Sequence, residues 1–128
     1  MNLQWDSFFS SLNQNDGVQG IMFISKRNDV LYSTKQLKNM EIPYSLLNDL
    51  FVLNDENDMV AFSFDNQLFR IIDFSGDKVL AITSPIGKQI GLYILLTSFG
   101  YLIIEMEWNP RANSCEILTK ANEIIQNI

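Results

Sequence analysis

The hydrophobic positions of this chain follow two periods. From Leu92 to Thr97 and from Tyr101 to Met106 they run almost unbroken, interrupted by Ser98-Phe99-Gly100. Apolar and β-branched runs around so short a polar break predict the two strands of a hairpin. Strands this uniformly apolar belong in a sheet covered on both faces, because strands with one wet face alternate. One cover is legible just downstream. Ile117, Leu118, Ala121, Ile124, Ile125 and Ile128 repeat at helical spacing, which predicts an amphipathic helix over 114–127. Asn113 and Glu116 have the spacing of a capping box, the asparagine accepting from first-turn amides while the glutamate reaches back.

The rest of the chain yields to the same reading. Trp5, Phe8, Phe9 and Leu12 share one face of a helix over 3–12, with Gln4, Asp6, Ser7 and Ser10 opposite. Residues 13–17 are rich in helix-ending types. Strands are predicted at 18–25 and 29–34 around a turn at 26–28, an antiparallel hairpin. A polar, irregular stretch over 35–42 precedes Pro43, which suits the first turn of a helix. Leu46, Leu47, Leu50 and Phe51 give that helix its apolar face. Strands follow at 59–64, 68–74 and 78–83, separated by Asp65-Asn66 and Ser75-Gly76-Asp77. Pro85-Ile86-Gly87-Lys88 then leads into the apolar hairpin.

The order α-β-β-α-β-β-β-β-β-α predicts a single α+β domain spanning 1–128. It implies a seven-stranded antiparallel sheet, with the terminal helices on one face and the middle helix on the other.

Composition narrows the function classes. An apolar fraction of 47% supplies a full core. No apolar run approaches the roughly 18–20 residues of a membrane span, and no basic-then-apolar segment of the signal-peptide kind opens the sequence. The lone Cys115 excludes an internal disulfide and favours a reducing, cytoplasmic setting. It is expected to be a small buried residue of the last helix. A net charge of −6 with nine Lys and Arg residues argues against generic nucleic-acid binding. Lys26-Arg27 and Lys35/Lys38 are expected to be solvated, an anionic lipid being the alternative contact.

Catalytic and metal motifs are missing. There is no histidine, hence neither the commonest general base nor the commonest transition-metal ligand. No phosphate-binding glycine loop, nucleophile elbow or cysteine pair is present. The acidic stretch 54–58 is followed by a strand rather than the helix of a calcium-binding EF-hand. Glu105 and Glu107, two apart on one strand, are expected to form a polar rim. The sequence therefore points to a binding module without cofactor or metal.

Several segments together resemble the profilins, and more particularly their divergent archaeal (Asgard) relatives. The N-terminal helix carries Trp5 and, three residues on, Phe8. GIMFISKRNDVLYS matches the first hairpin, GLYILLTSFGYLIIEME the later Gly…Thr hairpin, and NPRANSC the loop with Pro leading to a helix with an early Cys. The resemblance implies a monomeric, cytoskeleton-associated protein that binds the actin monomer and regulates polymerisation. Mapped by motif position, it implies an actin-binding surface of Arg70, Lys78, Lys88, Gln89, Tyr93, Arg111, Asn113, Glu116 and Lys120. It also implies a polyproline groove at Trp5, Phe8, Leu31 and Ile125. Leu31 and Ile125 stand where the family stacks a Trp and a Tyr, which predicts weak recognition of proline-rich peptides. The turn rich in glycine before the penultimate strand is reduced to Gly87 and Gly91. Phosphoinositide binding is left open. The alternative is a roadblock or longin-like scaffold for small GTPases, which suits GVQGIMFISKRNDVLYST but has a five-stranded sheet. A PAS-type ligand sensor would require a cavity.

Overall fold

The computed structural model describes residues 3–51, 59–84 and 87–127. Its seven strands are β1 (Val18–Ser25), β2 (Val30–Lys35), β3 (Ala61–Phe64), β4 (Gln67–Phe74), β5 (Lys78–Ile82), β6 (Ile90–Leu96) and β7 (Gly100–Glu107). They form one antiparallel sheet in the order β2-β1-β7-β6-β5-β4-β3. The apolar hairpin β6–β7 thus lies centrally, with β7 between β1 and β6.

The predicted first helix is two short ones, α1 (Leu3–Phe8) and α2 (Ser10–Asn13), divided at the fully buried Phe9. α3 is Tyr44–Phe51 and α4 is Ser114–Gln126. The acidic stretch 54–58 and Pro85-Ile86 lie outside the described residues.

Strand alternation divides the apolar side chains into two cores. One contains Phe9, Leu12, Ile21, Phe23, Leu102, Ile104, Ile117 and Ala121, so α1, α2 and α4 share a face. The other contains Met22, Ile24, Leu47, Leu50, Ile94 and Ile103, which puts α3 on the opposite face. Leu37, within the stretch read as polar and irregular, is completely buried in this second core. Its side chain fits over Gly20, where an added Cβ would stand 2.7 Å from Leu37 Cγ.

Turn chemistry fixes the hairpins. Asp65 and Asn66 have φ of 51° and 60° between the paired Phe64 and Gln67. Two consecutive positive φ values make the tight turn that matches strand twist, and Asn and Asp tolerate them. At the β6–β7 turn, Thr97 Oγ1 accepts from the amides of Phe99 and Gly100 at 3.1 and 3.0 Å. Gly100 also pairs with Ser25. A side chain there would collide with the Ile24 carbonyl oxygen.

Three local expectations are corrected. Asn113 precedes α4 without making a side-chain cap. Its amide instead donates to Asn15 Oδ1 at 3.0 Å, tying the helix start to the loop before β1. Cys115 is exposed, with its thiol 3.5 Å from the Pro110 carbonyl oxygen. Lys35 is anchored rather than merely solvated: its ammonium donates to the carbonyls of Asn13 and Val18 at 2.8 and 2.9 Å.

Candidate partner-binding face

β4 supplies the surface least expected from its sequence. Phe69 points into the second core at 0% exposure, whereas Leu68 is 66% and Ile72 46% exposed. Arg70 lies between them, exposed, and pairs across the sheet with Ala61 and Ile82. Leu68 and Arg70, alternating with Phe69, therefore face the side that carries the terminal helices. None of the residues of the first core comes from β3 or β4, and this end of the face is left to solvent.

A depression of about 480 Å³ is centred there, lined by Leu68, Arg70, Ile72, Ile82, Thr83 and Gln89 among others. Its far wall is held by hydrogen bonds. Gln89 Nε2 donates to the Thr83 carbonyl at 3.1 Å, and the Ile90 amide donates to Thr83 Oγ1 at 2.9 Å. The Trp108 amide in turn donates to the Gln89 carbonyl at 3.0 Å. Apolar side chains around a guanidinium, on a rigid frame, are the ingredients of a protein-binding surface.

The remaining candidates fall into three groups. Lys88 follows next to Gln89 and makes an ion pair with Glu107 at 3.4 Å. Glu107 lines a second depression, of about 430 Å³, with Asp16, Asn109, Asn113 and Glu116. Arg70, Gln89, Lys88, Asn113 and Glu116 thus make a continuous band from β4 to the start of α4. Arg111 is exposed in the loop before α4, where its amide donates to Asn109 Oδ1. Lys120 lies one turn beyond Glu116 and is partly buried. Lys78 begins β5, at the opposite end from Ile82, and lies outside the band.

Tyr93 is not an exposed anchor. It is 7% exposed within the first core, and its hydroxyl meets Asn122 Nδ2 of α4 at 2.9 Å. Burial raises its pKa above the ordinary phenol value, with the Asn122 hydrogen bond opposing. Leu68 and Ile72 were missed as surface residues. Their signal in the sequence was Arg70 set midway between two aliphatic residues on a strand near the sheet's edge.

The four residues mapped to a groove all border the first core. Trp5, Phe8, Leu31 and Ile125 all pack, half buried, against the first core. Trp5 meets Phe8 edge-on at 5.7 Å and Phe23 at 4.9 Å between centroids. Phe99, 51% exposed, extends the aromatic set at 6.1 Å from Trp5. It is an aromatic the motif comparison did not include.

The two glutamates are not a rim pair. Glu107 is partly exposed and paired, but Glu105 is completely buried on a central strand. Neither of its carboxylate oxygens has a hydrogen-bond partner. Burial first, and the charge of Asp65 second, push its pKa up to about 7.

No protein-family model matches the chain. No curated protein matches it by sequence. Solved structures do match. LokiProfilin1 in complex with rabbit actin superposes with a TM-score of 0.71 at 18% identity, over 99% of this chain and 95% of that one. LokiProfilin2 in its rabbit actin complex gives 0.71 at 17%, over 99% and 96%. LokiProfilin1 alone gives 0.71 at 18%, over 99% and 96%. Seven strands in one sheet, with terminal helices and α3 on opposite faces, are therefore the profilin fold, shared across nearly the whole chain.

Proposed function

We propose that this protein binds the actin monomer and regulates polymerisation by occupying a surface, without turnover. The observation that carries this reading is the helix-free end of the sheet, where Leu68 and Ile72 flank Arg70 in a fold shared with profilins solved in complex with rabbit actin. Arg70, Gln89, Lys88 and the start of α4 at Asn113 and Glu116 form the contact band, with Arg111 beside it. Lys120 lies at its periphery, and Lys78 lies outside it. Tyr93 acts from within, bracing α4 through Asn122. The interface expected is of ordinary size, about 1,600–2,000 Å² in total. A five-stranded roadblock-like scaffold is disfavoured by the seven-stranded sheet.

The chain is read as a cytoplasmic monomer. Among the described residues no helix is long and apolar enough to cross a membrane. Proline-rich peptides bind weakly at Trp5 and Phe8, because Leu31 and Ile125 supply no stacking ring. Actin polymerisation and sedimentation with and without the protein test the main reading. A 1:1 complex and reduced filament mass are expected; unchanged polymerisation with no complex would remove it. Titrating a proline-rich peptide against tryptophan fluorescence tests the groove, and saturation at low micromolar concentration would contradict weak recognition.

A further inference from the structure

Glu105 is the only completely buried carboxyl group among the described residues. It projects from β7 on the side that α3 covers. Its cross-strand neighbours are Gly20 on β1 and Leu92 on β6, neither able to donate a side-chain hydrogen bond. The neighbouring positions on its own strand face are Ile103 and Glu107, and Glu107 is engaged with Lys88. Leu37 lies over Gly20, and α3 contributes Leu47 and Leu50 to the core of this face. The charged group that acts on Glu105 is Asp65 of the β3–β4 turn, of the same sign. An ionised carboxylate without partner or water is far costlier to bury than the neutral acid.

We propose that Glu105 is a proton-linked switch for the sheet face covered by α3: folding keeps its carboxyl neutral, and loss of the proton loosens that face and the adjoining β3–β4 turn. The direction follows from linkage. The carboxyl ionises near 4.5 in an ordinary environment and near 7 in the folded chain. Between those values the folded protein holds a proton that the unfolded chain has released. The stability contributed by the neutral acid is complete below about pH 4.5, declines as pH rises, and is lost above about pH 7. A separation of this size corresponds to roughly a 300-fold fall in the folding constant. Repulsion between ionised Glu105 and Asp65 falls on the hairpin that carries Leu68 and Arg70.

Two measurements on the full chain test the switch. The first is a carbon-13 NMR titration of the Glu105 side-chain carboxyl, expected to have its midpoint near pH 7. The second is urea denaturation at pH 5 and pH 8.5 for the wild type and for Glu105→Gln, which keeps the shape and removes the charge. The wild type should lose roughly seventyfold more folding constant than the variant across that interval, because the unfolded carboxyl is already mostly ionised at pH 5. Equal losses in the two proteins, or a carboxyl midpoint below pH 5, overturn the proposal. If Glu105→Gln does not fold, the NMR midpoint of the wild type decides alone.

Discussion

The two halves of the sheet use similar residues to opposite ends. In the half made of β1, β7 and β6, side chains are buried on both faces, and in β1 and β7 only two of the eight positions are not fully buried. In the half made of β5, β4 and β3, burial fades outward until β4 buries Phe69 alone. Yet Leu68 to Phe74 contains five apolar residues among seven. The covered half spends its apolar surface on folding; the uncovered half keeps Leu68 and Ile72 in water, which folding alone does not require. On the proposed function, a strand whose composition asks for burial but whose position denies it is the surface where a partner adds the missing layer.

The sharpest way to break this comparison is to cut matching side chains from the two halves. Ile103→Ala, in the completely buried centre of β7, should cost about 2–5 kcal/mol by leaving a cavity between packed neighbours. Leu68→Ala, at 66% exposure, should change stability by no more than about 0.5 kcal/mol. Urea denaturation of both variants checks the contrast, and similar losses would mean that β4 is covered after all.

Binding should reverse that order. Leu68→Thr combined with Ile72→Thr puts β-branched residues, which suit a strand, at both positions while removing apolar contact. Actin affinity should fall by about 2 kcal/mol or more, the scale of central anchors in an interface, with the unfolding midpoint nearly unchanged. Sedimentation equilibrium with monomeric actin measures it. Full affinity in this double variant would move the contact away from β4.

Much of this architecture was legible because periodicity and turn chemistry act locally. The β6–β7 hairpin, the α4 stripe and the Asp65-Asn66 turn each declared themselves within one short, continuous segment. What the sequence withheld depended on partners far along the chain. Leu37 looked like part of a polar connection, but its hole is made by Gly20 across the sheet. Tyr93 looked like an anchor because strand and face could not be resolved without α4 above it. Glu105 and Glu107 share a strand face, yet one is buried and the other solvated, since β7's centre is covered and its end is not. Arg70, Lys88 and Gln89 fall into one band because Arg70 pairs with Ile82 at the end of β5, which in turn pairs with Gly91 at the start of β6.

Asn113 offers a smaller test of how α4 is joined to the covered half. Its amide reaches Asn15, 98 residues earlier, rather than a first-turn amide of its own helix. Asn113→Ala should therefore cost about 1 kcal/mol, the usual worth of one hydrogen bond, and Asn15→Ala should cost more, because its Oδ1 also accepts from the Gly17 amide at 2.8 Å. In the double variant the two losses should not add. Glu116→Ala should cost little, because the reciprocal cap in which it would take part is not formed. Additive losses at Asn113 and Asn15, together with a clear loss at Glu116, would restore the capping box.

The smallest effect is expected at the charged end of the contact band. Lys88 and Glu107 are 66% and 45% exposed in their side chains, and 3.4 Å apart. An ion pair this open is worth between about 0 and 1 kcal/mol, because water already solvates both partners. Lys88→Ala should leave stability within about 0.5 kcal/mol of the wild type. At the rim of an interface such a charge changes the rate of encounter more than the tightness of the complex. Charge reversal at Lys88 and Arg111 together should then weaken actin binding by under about 1 kcal/mol at physiological salt. The difference should shrink as salt is added and the Debye length falls below the separation of the charges. A salt-insensitive loss of several kcal/mol would instead mean that both cations are desolvated against acidic groups of the partner. The anchor would then be the Lys88–Arg111 end of the band, and Leu68 and Ile72 would be its rim.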